Sequence, residues 1–307
     1  MLEKQILSTL RFFDLQDLPL TQFEIYKYLL ADPLALADAV DGQFELKGHP
    51  QAGEGFSLEQ VIASAARLKQ EEKIGEKNGY YTLPGRINLV SLRLTNYGYG
   101  LGRERRIRRY LTPTRFLPFI RGIALAGSQP FGQQRIGSDI DLFIMTDSRF
   151  MWTARTFLTA YFQVLGMRRH GKKIANRFCL NHYLARSRAV DAEKNLYKAM
   201  EYLKLRPVVS EATIVAFQQA NKSWIQVFFP NADFPNVPKV STSRAQKFLE
   251  KVYMAIGGEK IEKQLGKWQL ARIRQDKFIF VRDDELSFHP ESKHEALLSG
   301  FFEFHKQ

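Results

Sequence analysis

Apolar residues recur at helical spacing over residues 2–13 and 21–30, and again over 57–72, where Ser57 stands as N-cap with Gln60 three positions on. The stretch "KIGEKNGYYTLPG" then sets Asn78-Gly79 between two short strand-like runs, a strong local hairpin signal. Between the second and third helical patterns, "ADPLALADAVDGQFELKGHPQAGEGF" is broken by Gly and Pro and reads as an insertion or a long loop. From about residue 115 the pattern changes. "RGIALAG" is a short apolar run ending on Gly127, "SDIDLFIM" is a second strand, "RFMWTARTFLTAYFQVLG" has helical periodicity up to Gly166 as C-cap, and "RFCLNHYLA" is a third strand. Beyond residue 191 the signals are mostly helical, with "FPNADFPNVPKVSTS" the most linker-like stretch.

These elements predict an α+β chain in four parts. Residues 1–86 have the helix, helix, helix, hairpin order of a winged helix-turn-helix. Residues 87–114 form a connector helix, 115–190 a mixed sheet flanked by helices, and 191–307 a helical C-terminal region. At 307 residues with 45% hydrophobic content the chain can bury more than one core. It has no run of about twenty apolar residues, and the N-terminus carries acids among its apolar positions, so the expectation is a cytoplasmic protein without a membrane segment. Trp224, Phe228 and Trp268 recur at helical spacing and read as core rather than as a base-stacking platform.

The formal net charge of +13 suggests an anionic partner, and its distribution says where. Residues 121–200 hold 13 basic and 5 acidic side chains, far more lopsided than the segments on either side. Two basic clusters stand out: "RERRIRRY" at 103–110 and "RRHGKKIANR" at 168–177. The first reads as a phosphate contact or a solvated connector, the second as the rim of a cleft or a solvated turn. The third predicted helix balances Glu59, Glu71 and Glu72 against Arg67, Lys69 and Lys73, a poor surface for a phosphate backbone. The single cysteine, Cys179, excludes an internal disulfide and a cysteine-rich zinc site, and reads as a small buried hydrophobe.

The chemistry concentrates in "GSQPFGQQRIGSDIDLFI", residues 127–144. In a strand, residues two apart share a face, so Asp139 and Asp141 stand side by side while Ile140 and Leu142 point to the core. Adjacent carboxylates repel unless a cation bridges them or a proton is shared. Magnesium, or manganese, suits the first case, since it takes hard oxygen ligands and completes its shell with phosphates. Gly127 ends the preceding strand, where a missing side chain lets the backbone approach a ligand, and Ser128 can open a helix whose free amides face an anion.

Gly-Ser, ten intervening residues and then Asp-x-Asp resembles the signature of the DNA polymerase beta-like nucleotidyltransferase superfamily, and "SDIDLFI" is close to its minimal members. The likeness covers about residues 121–184. More loosely, the whole layout resembles prokaryotic proteins that join a winged helix, this core and a helical tail. The resemblance implies transfer of a nucleoside monophosphate from a nucleoside triphosphate to a hydroxyl acceptor, with release of pyrophosphate. It implies that Gly127 and Ser128 grip the triphosphate, with Ser138, Lys172 and Lys173 as further nucleotide contacts, and that Asp139 and Asp141 ligate one or two magnesium ions. Active members carry a third carboxylate on a neighbouring strand. Here that strand is "RFCLNHYL", which has no acid; Asn181 aligns with the position, and its carbonyl can ligate magnesium but accepts no proton at neutral pH. His182, on the opposite face if alternation holds, is a possible base, and Asp191 and Glu201 lie downstream. The residues thus admit a working transferase, a degenerate member that senses nucleotide or associates with nucleic acid through its winged helix, and a scaffold.

Overall fold

The computed structural model describes residues 1–48, 50–190, 193–239, 242–273, 280–288 and 292–304. Local signals start most of the N-terminal elements. Helix α1 (Leu2–Asp14) buries Ile6, Leu10, Phe12 and Phe13. After the two-residue strand β1 (Leu20–Thr21), a capping box between Thr21 and Glu24 opens α2 (Gln22–Lys27). Asp32 accepts the Leu34 and Ala35 N–H groups, and with Pro33 in the first turn this starts α3 (Pro33–Ala39) inside the stretch expected to be insertion or loop. Helix α4 (Leu58–Gln70) opens on the capping box read from the sequence: the Gln60 N–H donates to Ser57 Oγ at 3.2 Å, and the Ser57 N–H to Gln60 Oε1 at 2.8 Å. Strands β2 (Gly75–Lys77) and β3 (Tyr80–Thr82) meet at Asn78-Gly79, whose φ values of 54° and 77° are the paired positive values of a type I′ turn. Strand β1 pairs antiparallel with β3, giving the sheet order β1-β3-β2, and α1, α2 and α4 pack on one another beside it.

The connector is one helix of 24 residues, α5 (Asn88–Leu111), which buries Leu89, Val90, Ile107 and Leu111 and, beside them, two arginines that fasten it to its neighbours. Arg93, 4% exposed, reaches the Pro19 carbonyl and Glu24 on one side. Arg103, 5% exposed, donates to Ser138 Oγ at 3.2 Å and to the Ser138 carbonyl at 3.0 Å on the other. The basic cluster 103–110 is therefore split: Arg103 is structural, while Arg105, Arg106, Arg108 and Arg109 are exposed.

The central sheet combines β4 (Ile120–Leu125), β5 (Ile140–Thr146) and β6 (Phe178–Ala185). Strands β4 and β5 are antiparallel, whereas β5 and β6 are parallel, joined by the crossover helix α6 (Met151–Val164). The chain continues through α7 (Leu196–Lys204), β7 (Arg206–Val209), α8 (Glu211–Ala220), α9 (Lys222–Phe228), α10 (Arg244–Ala255), α11 (Gly258–Leu270), β8 (Phe280–Val281), β9 (Glu285–Ser287) and α12 (Ser292–Phe304). Among its described residues the mostly helical stretch 191–307 also contributes three short strands: β7 adds to one edge of the sheet, and β9 with β8 to the other, in the order β7-β4-β5-β6-β9-β8. Pro207 masks β7 in the sequence, yet on an edge strand its missing N–H is tolerated.

Alternation along β5 sends Phe143 and Met145 into a core shared with α1, α7, α8, α9 and α12, and Leu142 and Ile144 into a second core under α6. Trp224 and Phe228 are buried as expected, but Trp268 is corrected: it is 50% exposed, with the Arg272 guanidinium 3.8 Å from its ring centre. The first turn of α6 is capped from a distance. Glu262 on α11 accepts the Trp152 and Thr153 N–H groups, each at 2.8 Å, and is 9% exposed. Because charge-assisted bonds to otherwise orphaned amides are lost together, Glu262→Ala is expected to cost about 2–3 kcal/mol in urea unfolding, and Glu262→Gln less. No described helix is long and apolar enough to cross a membrane.

Candidate active site

Asp139 immediately precedes β5 and Asp141 is its second residue, on the same face as Phe143. One ligand atom from each of Asp139, Asp141 and Cys179 lies within 4.8 Å of the others, so the two acids do converge. Gly127 makes room for them. Its φ is 62°, and a Cβ built there would stand 2.4 Å from Asp141 Oδ2, so both the backbone conformation and the carboxylate demand glycine.

Each acid has a neighbour that tempers its charge. The Arg169 guanidinium stands 2.6 Å from Asp139 Oδ2 and donates to Cys179 Sγ at 3.2 Å, while Asn181 Nδ2 donates to Asp141 Oδ1 at 3.0 Å. Burial, and then the Asp141 carboxylate, push the Cys179 thiol up to about 12. The two carboxylates are hard oxygen donors, and the Asn181 amide turns its nitrogen toward Asp141.

Asp139, Asp141 and Asn181 open onto a cleft of about 960 Å³. Among the described residues four arginines line it: Arg168 and Arg169 from the basic segment after α6, Arg155 from α6 itself, and Arg272 just past α11. Glu201, from α7, lines the same cleft. Its Oε1 accepts from the Tyr197 hydroxyl at 3.0 Å and lies 4.0 Å from Lys204 Nζ. Burial holds the Tyr197 phenol far above its ordinary pKa, with the Glu201 carboxylate adding to the effect, so the phenol stays a donor. Lys204 is buried, and burial lowers its pKa; Glu201 and Asp141 are the two charges that oppose this. The α7 spacing 197, 201, 204 puts tyrosine, glutamate and lysine on one stripe of the helix, and that is the readable sign of polar work there.

The other residues expected at the site fall elsewhere. Ser128 is exposed and outside the cleft-lining residues, and it leads into a 3₁₀ turn, Gln129–Phe131, rather than an α-helix with a row of free amides. Ser138 is taken up by Arg103. Lys172 and Lys173 are exposed on a tight turn closed by His170 and Lys173, of which only His170 and Gly171 line the cleft. Asp191 lies outside the described residues.

His182 does not alternate away from Asn181. A register shift pairs Asp141 with Cys179 but Phe143 with His182, so the strict alternation expected of β6 is broken between the two same-face residues of β5. The imidazole packs edge-on against Phe143, 4.9 Å between ring centres, with its Nε2 3.3 Å from Glu285 Oε1. Comparison with protein families, with curated proteins and with solved structures finds no match.

Proposed function

We propose that the protein is a magnesium- or manganese-dependent nucleotidyltransferase of the DNA polymerase beta-like type. The observation that carries this reading is the convergence of Asp139 and Asp141 beneath Gly127, in a cleft walled by four arginines. Asp139 and Asp141 hold the metal, with the Asn181 amide beside them. When bound, the ion neutralises charge that builds on the triphosphate oxygens during transfer. Arg155, Arg168 and Arg272 draw in the triphosphate, and Arg169 exchanges its contact with Asp139 for one with a phosphate.

Glu201 takes the role of the third carboxylate, supplied by a helix rather than by the neighbouring strand. It reaches the cleft that Asp141 also lines, and the Tyr197 and Lys204 contacts hold it in orientation. As a carboxylate it can accept the proton of an attacking hydroxyl, which Asn181 cannot.

The N-terminal unit reads as a winged helix, on its helix order and the sheet order β1-β3-β2. Its cations speak for a structural or protein-contact role: on and just after α4, Lys69 is paired with Glu76 and Lys73 with Glu71, each at 2.7 Å.

A second reading, nucleotide binding without turnover, draws on Asn181 in place of a strand carboxylate and on the Arg169 contact with Asp139. Incubation with α-labelled triphosphates, magnesium and a pool of hydroxyl acceptors separates the two. The transferase reading expects label on an acceptor and free pyrophosphate; metal-dependent binding with no transfer selects the regulator.

A further inference from the structure

The two basic segments of the chain meet on one outer face, beside the cleft but outside it. Helix α5 packs along the turn between α6 and β6: the Tyr161 hydroxyl donates to the Tyr110 carbonyl at 2.9 Å, Arg106 reaches the Met167 sulfur at 3.5 Å, and Asn176 Nδ2 donates to the Tyr99 hydroxyl at 3.1 Å. Arg177 closes this seam by donating to the Gly166 carbonyl. Arg105, Arg106 and Arg109 from α5 are thereby brought together with Lys172, Lys173 and Arg177 from the segment before β6. None of the six lines the cleft, and among the described residues none has an acid within ion-pair distance. Glu104, the one acid in residues 103–110, is taken up by Arg108 and Arg206, and residues 166–178 hold no acid at all.

The charge is crowded as well as unmatched. Arg105 and Arg109 stand one helical turn apart, a like-charge spacing that works against the helix. Burial lowers the pKa of Arg103, and the Arg106 charge acts in the same direction. Such a face calls for an anionic partner. Its aliphatic residues say which kind. Val164 ends α6 and Leu165 caps it, directly before the Gly166-Met167 pair that Arg177 and Arg106 hold. Val164 is 86% exposed, the most exposed large apolar side chain among the described residues, and Leu165 is 43% exposed. A nucleic-acid strand is held through its phosphates and by stacking of bases on free aromatic rings. The rings bordering this face are engaged: Tyr110 packs edge-on against Phe178, 6.2 Å between centres, and Tyr99 carries the Arg103 guanidinium over its ring. A lipid surface supplies both missing partners, phosphates for the cations and an apolar layer for the aliphatic pair.

We propose that this face docks the protein on an anionic lipid bilayer, as a peripheral contact in which Val164 and Leu165 enter the headgroup layer and the six cations meet lipid phosphates. The proposal goes beyond the transferase reading and does not depend on it. Residues 168–171, between the aliphatic pair and Lys172, line the cleft, so the docked chain opens its cleft close to the membrane.

The test uses the full chain with three probes: vesicles of phosphatidylcholine alone, vesicles in which a third of the lipid is phosphatidylglycerol, and a single-stranded oligouridylate. In co-sedimentation at about 0.15 M salt, the chain is expected to bind the anionic vesicles about tenfold or more tightly than the neutral ones. The double variant Val164→Ser with Leu165→Ser changes no charge and should lower affinity for the anionic vesicles several-fold. The double variant Lys172→Ala with Lys173→Ala should also lower it several-fold and make it less sensitive to salt. All four side chains are exposed, and should one double variant fail to fold, the other carries the test. Equal binding of the two kinds of vesicle, or an affinity unchanged by loss of the aliphatic pair or of the lysines, overturns the proposal. Oligouridylate bound more tightly than the anionic vesicles, with the loss confined to the lysine variant, overturns it too and assigns the face to nucleic acid.

Discussion

Gly127→Ala is expected to abolish metal-dependent triphosphate binding while leaving a folded protein. Two costs combine at this position. The backbone sits at φ 62°, which an alanine adopts only with strain of about 1–3 kcal/mol. In addition, the new methyl group would meet Asp141 Oδ2 at 2.4 Å and Asp141 Cγ at 3.2 Å, so either the carboxylate or the β4–β5 connection must move. Both movements displace one of the two acids from the other. Gly137→Ala is the matched control: φ is 90° there, but nothing lies within 4 Å of the added carbon. It should lose a comparable amount of stability in urea unfolding and keep its triphosphate affinity. If the two variants lose affinity equally, the effect is backbone strain and not the Asp141 contact.

Glu201→Gln is expected to lower the transfer rate by about 10²–10⁴-fold, the usual worth of a positioned proton acceptor, with triphosphate affinity changed far less. The glutamine amide oxygen can still accept from the Tyr197 hydroxyl, so the α7 stripe keeps its shape while the proton acceptor is gone. Single-turnover rates with pre-bound triphosphate separate chemistry from binding. A variant that turns over at the wild-type rate would return the proton-transfer role to another group.

The signals readable along the chain are those written within a few residues. The Ser57–Gln60 capping box, the Asn78-Gly79 turn and the Asp139-Ile140-Asp141 alternation each depend on local backbone geometry, and each forms as the residues dictate. The illegible part depends on partners distant in sequence. Glu201 and Arg155 reach the cleft only because α7 and α6 dock on the sheet around β5 and β6, and Arg272 comes from beyond α11. Strands β7, β8 and β9 have two to four residues each, too short for a period to show, and exist because β4 and β6 offer open edges. Strict alternation puts His182 on the wrong face because it has no place for the register shift between Asp141 and Phe143. Lys172 and Lys173 attract notice for their charge, but the turn that carries them directs His170 and Gly171 to the cleft instead.

The central claim is that Asp139 and Asp141 together hold a divalent ion against a triphosphate. Calorimetric titration with each of the four ribonucleoside triphosphates, with magnesium and with a chelator, tests it in the wild type, Asp139→Asn and Asp141→Asn. The account predicts binding of at least one triphosphate by the wild type with magnesium only, and none by either variant. Binding that ignores the metal, or that survives unchanged in both variants, would contradict it.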